Sequence, residues 1–373
     1  MYPPASATGI RIRPVPHPIP EPVSRSSGPP PRRTPRRPAR RPSSSRRTAH
    51  PDGRIRPSNA SLHSLTRQRY TKPMKPLGIA VWFAAVLASA FCMASAAAAT
   101  ISAVATTSIV GDVVRQIGGE RIEVVVLIPY GTDPHTFEPT PRDLVTLAHA
   151  DVVFMNGAGL EEALERILGS PELQGKVIDL SAGLPLRTLD EDHDHEHKGV
   201  DPHVWLDPLL VADWTHRIEE VLTAHDPTGK EGFAARAAAY REALVELDRW
   251  IQEQVAAIPP ERRVLVTDHW VLGYFAARYG FTEGGAIIPG FSTLAEPSAR
   301  EMAELVDRVR HLGVRAIFVS PGFNGLATQF ARDTGIPVVV LFLEALSAPD
   351  GPAPDYLSLM RENVRRIVEA LGE

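Results

Sequence analysis

Apolar runs and helical periods alternate along the chain from Thr100 onward. The runs typical of buried strands are ISAVATTS, IEVVVLIP, DVVFMNG and KVIDLS, and the helical patterns between them are IVGDVVRQIGG, DLVTLAHA and LEEALERIL. Thr140 and Pro141 are typical of a helix start, as an N-cap residue followed by a proline in the first turn. Strands that alternate with helices in this way predict a parallel sheet covered by helices on both faces.

A long helical pattern and a second α/β segment follow. The helical pattern extends from about residue 231 to 258, where Pro259 and Pro260 end it, and at 1.5 Å per residue it would be roughly 40 Å long. Beyond it, RVLVTD, VRAIFVS and IPVVVLFL are predicted strands, and HWVLGYFAARYG is a predicted helix. A further helix is predicted from the capping box at Ser298 to Gly313. We predict an α/β fold of two doubly wound lobes with parallel sheets, joined by one long rigid helix.

The first 73 residues differ sharply from the rest in composition. They are rich in Pro, Arg and Ser. Residues 1–75 contain 17 of the chain's 40 basic residues but only 2 of its 44 acidic residues, so the remainder has 23 basic and 42 acidic residues. Such a basic, proline-rich tract cannot bury enough apolar surface to fold. It is either an arm for nucleic acid or a membrane surface, or sequence upstream of the true start of translation, and we favour the second interpretation.

Residues 74–99 have the pattern of a secretory signal peptide. Met74 and Lys75 open a short basic region, an apolar stretch follows, and small residues precede a predicted cleavage near Ala98 or Ala99. The stretch is too short for a membrane-spanning helix. We therefore expect Met74 to be the initiator and the mature protein, about 275 residues long, to be periplasmic.

The single cysteine, Cys92, lies inside this segment. Phe91 precedes it, where a lipoprotein signal would have a small residue, so the sequence disfavours lipidation. The mature chain then contains no thiol, and any metal site must use histidine and carboxylate ligands.

These patterns predict five segments. They are a disordered tract that is not structural (1–73), a signal peptide (74–99), an N-terminal α/β lobe (100–229), a linking helix (230–259) and a C-terminal α/β lobe (260–373).

Three histidines follow predicted strands or stand in Asp-Pro-His steps. His135 lies in GTDPHTFEPTP, His203 in VDPHVWLDP and His269 in VTDHW. In open α/β sheets, ligands bind outside the carboxyl ends of the strands. A histidine at such a place is a metal ligand, a catalytic base or a turn residue. The long separations suit ligands that are gathered from separate loops of two lobes into one cleft.

Glu344, after the run VVVLFL, is a fourth candidate. Three imidazoles and one carboxylate would form a closed tetrahedral site for Zn²⁺; the alternative for Glu344 is an exposed capping or loop acid. Asp133, Asp207 and Asp268 stand close to the histidines in sequence. We expect them either to orient imidazole N–H groups or to cap turns and helices.

Residues 190–197, DEDHDHEH, alternate carboxylates with His193, His195 and His197. With no apolar content this segment is predicted to be a solvated loop. We interpret it as an auxiliary zinc-collecting loop; the alternative is a solvated run of charges without a role in binding.

The stretch GTDPHTFEPTPRDLVTLAHADVVFMNGAGLE, followed by DPHVWLDP, VTDHW and STLAEPSARE, resembles the zinc/manganese-binding solute-binding proteins of ABC transporters. The resemblance covers the chain from about Thr100 to its C-terminus. It implies a metal buried between two lobes, with ligands at His135, His203 and His269. A histidine at the third position implies Zn²⁺ as the transported ion, with Mn²⁺ as the alternative. The family usually has Asp where this chain has Glu344, so this carboxylate either reaches the metal or leaves a site completed by water.

The function predicted from these observations is delivery of Zn²⁺ to an ABC transporter permease with its ATPase. We expect a monomer with no nucleic-acid partner and no catalytic residues. One alternative is a zinc hydrolase, since three histidines could hold a metal-bound hydroxide; a carboxylate in the fourth position and the lack of a separate general base argue against it. An extracellular adhesin with the same site is a third hypothesis.

Overall fold

Two parallel four-stranded sheets form the framework of the chain. The structure is a computed structural model that describes residues 100–188, 199–323 and 325–372. Both sheets have the same strand order, second-first-third-fourth in sequence. The strands are β1 (Ile101–Ala105), β2 (Ile122–Val126), β3 (Val152–Met155) and β4 (Val177–Asp179) in the first lobe, and β5 (Val264–Thr267), β6 (Thr282–Ala286), β7 (Ile317–Val319) and β8 (Val338–Val340) in the second.

Helices connect the strands of each lobe, as expected for parallel pairs. In the first lobe they are α1 (Ser108–Gly118), α2 (Pro141–His149) and the single turn α3 (Glu165–Leu168); in the second they are α6 (Gly273–Tyr279), α7 (Ala299–Leu312) and α8 (Gly325–Thr334). The predicted caps are present in two of them. The Asp143 carboxylate accepts from the backbone N–H of Thr140 at 2.7 Å, and Ser298 with Glu301 forms a capping box.

Two helices lie between the lobes in sequence, α4 (Pro208–His225) and the long α5 (Lys230–Val255). With 26 residues, α5 is about 39 Å long, and it packs against α4, α1 and the C-terminal helix α9 (Tyr356–Gly372). The prediction of two parallel α/β lobes joined by one long helix is confirmed. No helix among the residues described is long and apolar enough to cross a membrane.

The chain after β8 returns to the first lobe. The backbone N–H of Leu346 donates to Ser108 Oγ at 3.0 Å, and that of Tyr356 donates to Asp112 Oδ2 at 2.9 Å. One apolar core accordingly continues from the first sheet through α4 and α5 to α9 and the second sheet, and each lobe adds a smaller cluster of its own. Because they share this core, the two lobes are held together by apolar packing as well as by the linking helix.

Several elements differ from the sequence-based prediction, among them α8, which was not predicted. The pattern LEEALERIL forms a 3-10 turn (Glu162–Leu164) and the single turn α3 instead of one helix. The strand β6, TEGGA, was not predicted because its two glycines carry no apolar signal. The C-terminal helix α9 was also not identified, and its contacts with α1 and α5 cross the predicted boundary between the lobes. The predicted segments 1–73 and 74–99 lie outside the described residues.

Candidate metal centre

His135 lies in a rigid turn after β2. Pro134 begins a 3-10 turn that ends at Thr136, and the Asp133 side chain caps it by accepting the backbone N–H of His135 at 2.9 Å. The second oxygen of Asp133 accepts a hydrogen bond from the hydroxyl of Thr293, in the other lobe. His135 is 7% exposed, so the turn carries its imidazole into the protein.

His203 follows a second Asp-Pro step and is fully buried. Asp201 Oδ1 accepts from the backbone N–H of His203 at 3.0 Å and from its ring Nδ1 at 2.7 Å. This contact assigns the ring proton to Nδ1 and leaves the Nε2 lone pair available to a ligand.

His269 comes two residues after the last residue of β5. Asp268 Oδ1 accepts from both the backbone N–H and the ring Nδ1 of His269 at 2.9 Å, and Asp268 Oδ2 accepts from the backbone N–H of Ser320 at 2.6 Å. Ser320 directly follows β7, so the neighbouring strand fixes the carboxylate that orients this imidazole.

Glu344 is buried beyond the end of β8, with 4% of its surface exposed. The residue before it is tied to the first lobe, since Trp205 Nε1 donates to the carbonyl of Leu343 at 2.8 Å. Neither oxygen of the Glu344 carboxylate has a hydrogen-bond partner among the described residues. A buried carboxylate without hydrogen bonds is costly unless a cation compensates its charge.

These four side chains converge. One donor atom from each of His135, His203, His269 and Glu344 lies within 4.8 Å of the other three, and all four residues are buried. The Nε2 atoms of His135 and His269 lie 3.3 and 3.2 Å from that of His203. Glu344 Oε1 lies 3.2 Å from His269 Nε2, outside hydrogen-bond geometry. Ligand atoms of a tetrahedral ion with bonds of about 2.0–2.1 Å are separated by about 3.3 Å. The three distances above are close to that value, whereas the Glu344 oxygens lie 3.7 Å from His203 Nε2 and 3.9 Å from His135 Nε2, so the four residues form a group able to hold a metal ion.

The charges of the site depend on burial and on its own carboxylates. Burial lowers the pKa of His135 and of His203, so both imidazoles are neutral at neutral pH. Burial would also lower the pKa of His269, but Asp268 and Glu344 raise it to about 10. For Glu344, burial acts to raise the pKa, but His203 and His269 outweigh it and hold the value below the ordinary one. The four converging side chains therefore comprise one carboxylate, one imidazolium and two neutral imidazoles.

The carboxylates predicted to orient the imidazoles have different roles. Asp268 bonds the ring of His269 as expected, whereas both oxygens of Asp133 are used by a backbone N–H and by Thr293. Of the two roles considered for Asp207, the structure shows the capping one: its carboxylate caps α4 by accepting from Leu209 N–H at 2.8 Å and lies 3.3 Å from Arg278 Nε.

The carboxylate that bonds the ring of His203 is Asp201, which the sequence reasoning did not single out. The repeated Asp-Pro-His step was the available signal, because Asp201 precedes its histidine by two residues, as Asp133 does. The loop histidines His193, His195 and His197 lie outside the described residues, and their interpretation as a zinc collector stays a prediction.

Comparison with known proteins identifies the family to which this chain is similar. Residues 103–370 match the family model described as "Zinc-uptake complex component A periplasmic". The manganese-binding lipoprotein MntA of Halalkalibacterium halodurans is 34% identical over 272 residues, which cover 72% of this chain and 88% of MntA.

Solved structures of other periplasmic metal-binding proteins share the fold. The periplasmic zinc-binding protein TroA of Treponema pallidum is 28% identical with a TM-score of 0.67, covering 74% of this chain and all of TroA. A Mn-bound periplasmic metal-binding protein of Candidatus Liberibacter asiaticus is 26% identical with a TM-score of 0.64, covering 73% of this chain and all of that one. The family consists of solute-binding proteins and not of enzymes. This chain therefore belongs to the family of periplasmic metal-binding components of ABC transporters.

Proposed function

We propose that this protein binds Zn²⁺ between its lobes and delivers it to a membrane permease that is driven by an ATPase. The proposed ligands are Nε2 of His135, His203 and His269 and the carboxylate of Glu344. The observation that carries the proposal is the convergence of these four buried donors within 4.8 Å of one another. Three imidazole nitrogens and one carboxylate oxygen match the ligand preference of Zn²⁺, and four donors make a closed site.

Manganese is the second candidate, and one feature of Glu344 favours it. Oε1 lies 3.7 Å from His203 Nε2, while Oε2 lies 3.9 Å from His135 Nε2. Both oxygens are thus available, and a bidentate carboxylate would supply five donors to a harder ion with a higher coordination number. MntA is a manganese-binding relative, whereas TroA is a zinc-binding one. We place Zn²⁺ first because three of the four groups are imidazoles and because the Irving–Williams order favours Zn²⁺ over Mn²⁺ at a given site.

A competition experiment decides between the two ions. Protein purified without added metal would be analysed for its metal content and then titrated with Zn²⁺ and Mn²⁺ separately and together. We expect Zn²⁺ to bind at least about 100-fold more tightly than Mn²⁺. If the protein keeps Mn²⁺ in the presence of equimolar Zn²⁺, manganese and not zinc is the bound ion.

The ligand set has its own test. His135→Ala and His203→Ala each remove one donor and should lower zinc affinity at least about tenfold in calorimetric titration. His149→Ala is the matched control, because His149 is exposed and its ring bonds the Val145 carbonyl within its own helix, α2. If either ligand variant binds zinc as the wild type does, that histidine is not a ligand.

We further propose that the protein acts in the periplasm as a monomer. Membership of the family supports the partners, a membrane permease and its ATPase. The segment 74–99 supports the location through its signal-peptide pattern. Detection of the mature chain in a periplasmic extract, with an N-terminus near residue 99 or 100, would test the location, and light scattering of the purified protein would test the oligomeric state.

A further inference from the structure

Arg187 lies near the end of the described range 100–188, and its side chain extends toward Asp201. Its side chain is 35% exposed, and its Nη2 donates to Glu283 Oε2 in β6 at 2.8 Å. Its Nε lies 3.9 Å from Asp201 Oδ2. The carboxylate of Asp201, which orients His203, therefore lies between Arg187 and that proposed ligand.

Asp201 uses only one of its oxygens for His203. Oδ1 accepts both the backbone N–H and the ring Nδ1 of that histidine. Oδ2 is buried and has no hydrogen-bond partner among the described residues, and the same holds for Arg187 Nε, which faces it. An unpaired carboxylate oxygen inside a protein carries a large desolvation cost. The guanidinium charge is the compensation that the structure provides for it.

The second lobe shapes the space for this pair. A Cβ at Gly273, the first residue of α6, would lie 2.7 Å from Asp201 Oδ2 and 3.0 Å from Arg187 Nε. The next residue, Tyr274, accepts the backbone N–H of Arg187 at 3.0 Å and donates to the Asp201 carbonyl at 2.9 Å. The backbone N–H of Asp201 also donates to the carbonyl of Arg187 at 2.9 Å. The start of α6 thus fixes both chain segments at the backbone and leaves room for the two side chains to face each other.

We propose that Arg187 is a positioning residue for metal binding, which holds the Asp201 carboxylate so that His203 Nε2 points at the cation. This inference rests on the proposed ligand set. Glu283 pairs with another nitrogen of the guanidinium, Nη2, so the ion pair adds no net positive charge beside the bound cation. Without Arg187, Asp201 Oδ2 loses the guanidinium that faces it, the carboxylate turns toward water, and the imidazole loses its fixed direction.

The test compares three variants with the wild type. Arg187→Gln removes the charge, Arg187→Lys keeps it, and Arg241→Gln is the matched control, since Arg241 is a half-buried arginine paired with Glu219 at 3.3 Å on α4 and α5. Each is titrated with Zn²⁺, and each is loaded with Co²⁺, whose visible absorption reports the coordination geometry of the ion. Thermal unfolding of the metal-free proteins shows that all are folded.

We expect Arg187→Gln to lower zinc affinity about tenfold, as changes behind a ligand typically do, and to shift the Co²⁺ spectrum. Arg187→Lys should recover most of the affinity, and Arg241→Gln should behave as the wild type. The inference is overturned if Arg187→Gln keeps the wild-type affinity and spectrum, if lysine gives no recovery, or if Arg241→Gln loses as much. A wild-type protein that binds no zinc would instead refute the proposed function, on which this inference depends.

Discussion

At the scale of single residues, the two Asp-Pro-His steps have the same backbone design and different side-chain roles. In both, the aspartate accepts the backbone N–H of the histidine two residues later. Asp201 also bonds the ring of His203, but the second oxygen of Asp133 is taken by the hydroxyl of Thr293. A local motif therefore fixes where each histidine backbone lies, while contacts from the other lobe decide which imidazole receives a carboxylate.

Substitution of two aspartates should separate these roles. Asp201→Asn weakens the acceptor of His203 Nδ1–H and should reduce zinc affinity about tenfold to 100-fold. Asp207→Asn is the control, because Asp207 caps α4 and neighbours Arg278; it should lower the melting temperature while leaving affinity within a few fold. Isothermal titration and thermal unfolding measure both quantities. Equal losses of affinity would contradict the assignment of Asp201.

Metal binding should release about one proton at neutral pH. The pKa of His269, which burial alone would lower, is raised to about 10 by Asp268 and Glu344, so its Nε2 must lose a proton before it can bind a cation. The proton competes at every pH below that value, and affinity should fall about tenfold for each unit by which the pH is lowered. Calorimetry in buffers of different ionisation enthalpy counts the protons. Affinity independent of pH around neutrality would contradict the charge state given for the site.

At the scale of elements, a tertiary contact overrides helical periodicity after β3. Glu161 lies within the pattern LEEALERIL, yet it is 3% exposed, and its carboxylate accepts from Thr106 Oγ1 at 2.7 Å and from the backbone N–H groups of Asn156 and Gly157 at 2.7 and 3.0 Å. Asn156 Nδ2 in turn donates to the carbonyl of Pro202, next to His203. These contacts bury Glu161 at the start of the segment. The residues after it form a 3-10 turn and the single turn α3 instead of one continuous helix.

Glu161→Gln should destabilise the metal-free protein. A glutamine has one acceptor oxygen, so at least one of the buried donors that now contact the carboxylate loses its partner, at a cost of about 1–3 kcal/mol. Glu162→Gln, at the exposed neighbouring position, is the control and should change stability by less than about 0.5 kcal/mol. Urea unfolding followed by circular dichroism measures both. Equal stabilities of the two variants would show that the Glu161 contacts contribute nothing.

At the scale of the whole molecule, the proposed ligands come from both lobes, and the two lobes are packed against each other through a shared apolar core. His135 and His203 belong to the first lobe, and His269 and Glu344 to the second. The residues around Glu344 bond to the first lobe through Ser108 and Trp205. A core shared by the lobes and a linking helix of 26 residues favour small displacements of loops over a wide opening when metal is released.

Zinc should stabilise the folded chain as a whole. A ligand that binds only the native state at a thousand times its dissociation constant adds about 4 kcal/mol to the free energy of unfolding. We expect a clear rise in melting temperature with Zn²⁺ and its reversal by a chelator, measured by scanning calorimetry. His269→Ala should lose most of this zinc-dependent rise. A rise of the same size in that variant would mean that the stabilising zinc is bound elsewhere.

The sequence by itself determined the alternation of strands and helices, the caps at Thr140 and Ser298, and the candidate residues for a metal site. Each of these depends on periodicity or on chemistry within a few positions, and the resemblance to a known family depends on short motifs of the same kind.

Only the tertiary structure decided which side chains meet. The bond between Thr293 and Asp133 joins residues 160 positions apart, and Glu344 is buried without hydrogen bonds only because the chain after β8 returns to the first lobe. The bond of Glu161 to Thr106 and the ion pair of Arg187 with Glu283 also join distant positions, 55 and 96 residues apart. A carboxylate takes the donors that the folded chain brings to it, and local sequence does not specify those donors.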